Sequence, residues 1–119
     1  MKGNRYTLSI YNALSPLGAS NYLYGMTIPQ PCVVQEWRQA VYVAAPNDAS
    51  NYWQISLKSN TATLATFSTS ALSAATWILK VLANLAKAVQ DSDVYLHVYA
   101  TKVGSPGGLS AMPAVIYVE

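Results

Sequence analysis

The sequence predicts an all-β fold, a small antiparallel β-sandwich of jelly-roll type. Three observations carry that prediction. From Asp93 to Val118 the chain reads as strand, connection, strand. Val94, Leu96, Val98 and Ala100 fall on one face of an extended segment, Tyr95, His97, Tyr99 and Thr101 fall on the other, and Ala114 to Val118 supplies a second β-rich run. Asn51 to Lys58 (NYWQISLK) alternates Trp53, Ile55 and Leu57 with Tyr52, Gln54, Ser56 and Lys58, the period of a half-buried strand. Apolar and turn segments then succeed one another roughly every 10 to 15 residues, the rhythm of a small sandwich or barrel.

Taken in order, Tyr6 to Tyr11 (YTLSIY) alternates imperfectly and reads as a first strand or as an arm laid on a neighbour. The turn formers of Asn12 to Ser20 follow, dividing the chain into an N-terminal strand or arm over 1–20 and a sandwich domain over 21–119. Tyr22 and Tyr24 stand on one side of a short extended piece. Pro29 and Pro31 lack the N–H a ladder needs and argue against a central strand there. Val33 to Ala45 reads as extended, with Val41 and Val43 opposite Tyr42, and Pro46 to Ala49 makes a turn. Thr63 to Thr69 has β-compatible composition.

Ser73 to Gln90 has two readings. Trp77, Ile78, Val81, Leu82, Leu85 and Val89 recur at helical spacing among alanines, which predicts a helix. The rival reading has Trp77, Leu79 and Val81 facing inward on a strand, with Ala83 to Lys87 as a connection. After the Asp93 strand, Gly104, Gly107 and Gly108 supply positions open to φ > 0 and Pro106 fixes its own φ, so VGSPGGL is read as a chain reversal. The expected core is Val41, Val43, Trp53, Ile55, Leu57, Val94, Leu96, Val98 and Ile116.

At 119 residues and 12.8 kDa there is room for one domain. Charged residues make up only 10% of the chain against about 25% in ordinary soluble domains. A surface built of Ala, Ser, Thr, Asn, Gln and Tyr suits a protein that covers much of itself with partners. The net charge of +2 is scattered without a basic stripe, which argues against a nucleic-acid partner. Ala71 to Val89 is interrupted by Lys80, Asn84 and Lys87, which argues against a membrane span, and no signal-peptide core follows Met1 to Arg5.

No motif for chemistry emerges. Cys32, the one cysteine, sits between Pro31 and Val33 and reads as a small hydrophobe. Asp91 and Asp93 read as a solvated turn, and with Asp48 they do not make a calcium loop. His97, the one histidine, builds no metal centre within one chain and forms no supported nucleophilic pair with Cys32. The glycines of VGSPGGL lack the Lys-Ser/Thr pair of a phosphate loop. The sequence therefore predicts no enzyme, cofactor or metal. Nine tyrosines and three tryptophans remain. Tyr22, Tyr24, Tyr42, Tyr52, Tyr95, Tyr99 and Tyr117 are candidates for protein contacts or for stacking on sugar faces, and the sequence leaves those two uses open.

The segments NYLYG, RQAVYVAAPNDASNYWQISL, TWILKVL and SDVYLHVYATKVGSPGGL together resemble small β-sandwich virion proteins of tailed bacteriophages and related viruses, in decoration, head-fibre or tail-fibre modules. The likeness runs over roughly Tyr22 to Val118 and rests on Trp53, Ile55 and Leu57, on Asp93 to Val98, and on Val103, Gly104 and Gly107. The resemblance implies an extended Thr76 to Leu82 and carries no catalytic or ligand-binding residue onto this chain. It implies a structural protein at the virion surface, assembled in the host cytoplasm, which self-associates as a trimer and docks on capsid or tail protein. The alternative is a glycan- or host-receptor-binding module.

Overall fold

The computed structural model describes residues 4–7, 9–10, 19–27, 31–43, 47–60, 62–72, 76–89 and 95–119. Among them the regular structure is entirely strand: β1 (Asn4–Thr7), β2 (Ser9–Ile10), β3 (Asn21–Thr27), β4 (Cys32–Val43), β5 (Tyr52–Ser59), β6 (Thr63–Ser68), β7 (Trp77–Leu82), β8 (Lys87–Val89), β9 (Tyr95–Val103), β10 (Leu109–Ala111) and β11 (Val115–Val118).

All pairings are antiparallel and fall into two sheets. In the first, β4 is the spine. Its N-terminal half is flanked by β11 and β8, its C-terminal half by β10 and β7, and β1 lies outside β11. The second sheet runs β2-β3-β9-β5-β6. Three successive pieces of chain each act as one interrupted strand: β1 with β2, β7 with β8, and β10 with β11. Counted so, the sheets read 1-8-3-6 and 1-2-7-4-5, the two pieces of the first strand being divided between the sheets; apart from that shared strand this is the double Greek key of a jelly roll, and the predicted fold class holds. The YTLSIY stretch contributes to both sheets, through β1 to β11 and through β2 to β3.

The core between the sheets comes from alternate positions. Val34, Trp37, Val41 and Val43 of β4 meet Trp53, Ile55 and Leu57 of β5 and Leu96, Val98 and Ala100 of β9, with Ile116 and Val118 of β11, all 2% exposed or less. Trp37 and Phe67 bridge the two sheets at 5.2 Å between ring centroids. Every predicted core residue within the described residues is buried; Val94 lies outside them, as do Asp91 and Asp93.

The segment with two readings is a strand, and the reason its pattern imitates a helix is visible. Ile78, Leu82, Leu85 and Val89 all pack on the core. Their spacing of four, three and four is the spacing of a helix face. Here it arises from β7, a kink at 83–86 and β8. Asn84 and Ala86 take φ of 57° and 50°, and the Leu85 amide donates to the Gln35 carbonyl at 3.0 Å, pinning the kink to β4. Part of the strand reading also needs correction. Trp77, Leu79 and Val81 do not face inward: they are 46%, 59% and 48% exposed, because Ile78, Lys80 and Leu82 hold the inward register.

Two smaller expectations change as well. Tyr22 stands opposite Tyr99 but Tyr24 opposite Val98, so the even alternation expected over this piece is broken by a register shift, a bulge between the two positions. Of the turn glycines only Gly104 takes a positive φ, of 69°. The rest of that connection is held by side chains. The Asp48 carboxylate accepts the amides of Ser50 and Asn51, each at 2.8 Å, the Asn51 side-chain oxygen accepts the Ser105 amide at 2.9 Å, and the Trp53 indole donates to the Gly107 carbonyl at 2.8 Å. Those two backbone amides hold the Asp48 carboxyl below its usual range.

Candidate functional site

The sandwich divides the candidate aromatics between its two outer faces. On the β4 sheet, the outward register across β4 and β7 places Arg38 opposite Val81, Ala40 opposite Leu79, and Tyr42 opposite Trp77. The Tyr42 and Trp77 rings lie 5.4 Å apart. Trp77, Leu79 and Val81 thus form an apolar stripe along a strand whose far side has no ladder partner among the described residues. These large apolar side chains cluster on one strand face, so they make a patch of the kind that marks an interaction surface.

Lys80 qualifies how that surface can be used. It sits on the inward side of the edge strand, opposite buried Gln39. An inward charge on an edge strand is one of the devices by which sheets resist addition of another strand. The stripe is therefore suited to face-on burial more than to extension of the ladder. Burying three half-exposed side chains of this size contributes roughly 1 kcal/mol each.

The second sheet's outer face is aromatic and polar. Tyr22, Tyr99, Ser56 and Thr66 stand in one row across β3, β9, β5 and β6. The Tyr22 ring meets both His97 and Tyr99 edge-on at 4.8 Å, Tyr95 lies 5.0 Å from His97, and the Lys58 ammonium lies 5.7 Å from the Tyr99 ring. His97 is only 4% exposed beneath these rings and its Nδ1 is buried with no hydrogen-bond partner. Burial first, and the nearby Lys58 charge second, hold its pKa below the ordinary imidazole value.

A pH dependence follows. Between the lowered folded value and the unfolded value of about 6.5, the unfolded chain binds the proton that the folded chain refuses, so this contribution to stability is complete above about pH 6.5 and is lost as pH falls toward the folded value. Urea midpoints should therefore drop on acidification through that window, and His97→Phe, which keeps a ring in the site, should flatten the slope. A midpoint rising on acidification, or an unchanged slope in the variant, would contradict the buried neutral imidazole.

The structure thus brings together Tyr22, Tyr95 and Tyr99, places half-buried Tyr42 on the opposite sheet, and puts half-buried Tyr52 on a separate groove at the outer surface of β5 and β6. Tyr117 lies on the β4 sheet, where the Arg38 guanidinium sits 5.2 Å from its ring. Tyr24 is located only by its backbone register. Trp77, Leu79 and Val81 were not among the residues expected at the surface. The available signal was that WILKVL is apolar on both faces, which a one-sided sheet does not need.

Chemistry has little to work with here. Cys32 lies in the β4 sheet and His97 in the other sheet, so they do not form a dyad, and burial pushes the Cys32 thiol up, away from the reactive thiolate. Among the described residues no three His, Cys, Asp or Glu side chains converge as a metal site.

No protein family and no curated protein sequence matches the chain. Solved structures of a birnavirus do. The infectious bursal disease virus Gt strain matches at 14% identity and TM-score 0.48, over 98% of this chain and 33% of that one. The Gx strain matches at 14% and 0.48, over 99% and 32%, and the virus's VP2 subviral particle at 10% and 0.48, over 98% and 30%. The chain spans about a third of the length of these proteins. They come from a birnavirus and not from a tailed bacteriophage, so the tailed-phage source implied by the sequence resemblance is not what they represent.

Proposed function

We propose that this chain is a non-enzymatic structural component of a virion surface that self-associates through the outer face of the β4 sheet and docks on other virion protein. The observation that carries the self-association is the stripe of Trp77, Leu79 and Val81, each about half exposed on a strand whose far side has no ladder partner among the described residues. Low charge supports it, since a chain with only 10% charged residues presents a surface that is inexpensive to desolvate. The virion part rests on the sequence resemblance together with the jelly-roll topology, a fold used by viral capsids and lectins alike. A closed trimer is the assembly favoured, with the stripes turned toward the threefold axis and away from solvent.

Light scattering across a dilution series tests this directly. The expected mass is three times the 12.8 kDa chain, falling to one chain in Leu79→Lys. Leu79 is 59% exposed, so the variant should remain folded, within about 0.5 kcal/mol of the parent. A monomeric parent at micromolar concentration overturns self-association, and an oligomeric variant moves it off this face.

A further inference from the structure

The geometry points to a binding site for a neutral saccharide in the groove where Tyr52, Gln54, Thr66, Ser68 and Ser70 meet at the outer surface of β5 and β6. The groove is a shallow, open depression of about 430 Å³, lined in addition by Ala49 and Phe67. That volume lies within the range of small-ligand sites, about 300–1,000 Å³.

The chemistry of the lining selects the ligand class. It offers two aromatic rings, those of Tyr52 and Phe67, one carboxamide and three aliphatic hydroxyls, and it contains no carboxylate, no basic side chain and no histidine. A carboxamide has separate donor and acceptor atoms, and each hydroxyl both donates and accepts, which is what a polyol requires. An anionic ligand would find no cation in this lining and a cationic one no carboxylate. The nearest acid in sequence, Asp48, has its Oδ1 turned to the amides of its own loop. The Tyr52 ring supplies an apolar face with a polar tip, suited to the C–H face of a pyranose.

The lining is also held in place before any ligand arrives. Gln54 pairs with Ser68 and Ser56 with Thr66 across the β5–β6 ladder. The Ser56 and Thr66 hydroxyls are 2.9 Å apart and those of Ser68 and Ser70 are 3.0 Å apart. Beneath them, the buried Thr69 hydroxyl accepts the Trp53 amide at 2.9 Å and donates to Asn47, fixing the end of β6 against β5. Preorganised polar groups of this kind lose little entropy on binding. The groove lies on the sheet opposite the Trp77 stripe, so assembly through that stripe leaves it open.

Saturation-transfer NMR on the full chain tests the site, with maltotriose, chitotriose and mannotriose at about 5 mM, a concentration suited to weak ligands, and sialyllactose as the anionic comparison. The expected result is transfer to ring protons of at least one neutral trisaccharide and less to sialyllactose. Gln54→Ala should weaken binding about tenfold, and Tyr52→Ala should abolish transfer while circular dichroism stays that of the parent. Because both changes are at the surface, Leu79→Lys serves as a control that disrupts assembly and should leave transfer unchanged. No transfer from any neutral trisaccharide overturns the proposal, as does equal transfer in both groove variants or dependence on the assembly state.

Discussion

Trp53→Ala is expected to cost about 3–5 kcal/mol, the range for truncating a fully buried tryptophan, and so to remove roughly a fifth or more of the stability of a typical domain of about 5–15 kcal/mol. Three effects combine. The ring is wholly buried in the middle of the core, so its loss leaves a cavity that the rigid ladders on both sides of β5 cannot close. Its indole donates to the Gly107 carbonyl at 2.8 Å, and the truncation leaves that acceptor without this partner. The same bond ties the β9–β10 connection to β5, so the loss spreads to the turn. Urea unfolding followed by intrinsic fluorescence and circular dichroism measures it. Trp53→Phe should recover much of the packing but not the hydrogen bond, giving an intermediate midpoint. A Trp53→Ala midpoint within about 1 kcal/mol of the parent would mean that the residue does not occupy the core as described.

Gly104→Ala is expected to be nearly as damaging although it adds a single methyl group. At φ of 69° an L-residue already carries a penalty of roughly 1–2 kcal/mol. The added Cβ would also lie 2.2 Å from the Ser50 carbonyl oxygen and 2.7 Å from the Asn51 side-chain oxygen. The first of these is backbone and cannot swing aside. Relief requires the β9–β10 connection to lift from the 47–51 loop, breaking the bond from the Ser105 amide to Asn51. The combined loss should exceed about 2 kcal/mol. The same equilibrium unfolding reads it, and amide exchange at Ser105 should quicken selectively. Alanine tolerated at parental stability would show that the two loops are not in contact at this point.

The contrast between these two sites marks what can be read from the chain and what cannot. Trp53, Ile55 and Leu57 announce themselves because a period-two alternation has one physical solution when a sheet has one wet face. The Gly104 turn is legible as a reversal, but which of its glycines needs the left-handed region depends on Ser50, more than fifty residues earlier, and no local pattern encodes that. Irregularities in strands are hidden for a related reason. One extra residue at Leu23 moves Tyr24 out of register with Tyr22, and two left-handed residues at Asn84 and Ala86 turn a strand pair into a helical imitation. The surface stripe was missed because Trp77, Leu79 and Val81 are as apolar as the residues that face inward. Which of two apolar faces is buried is decided by the register against β4.

The place of β11 has a consequence in time as well as in space. It lies between β1 and β4, so among the described strands the first joins its sheet through the last. During synthesis β1 therefore waits without its ladder partner until Val115–Val118 has emerged from the ribosome. Folds dominated by such distant pairings close slowly, on the order of milliseconds to seconds, and over that interval both β1 and the Trp77 stripe are open to neighbouring chains. Unpaired strand edges and exposed apolar surface of this kind are where association between unfinished copies begins, so the yield of folded protein should fall as its concentration during folding rises.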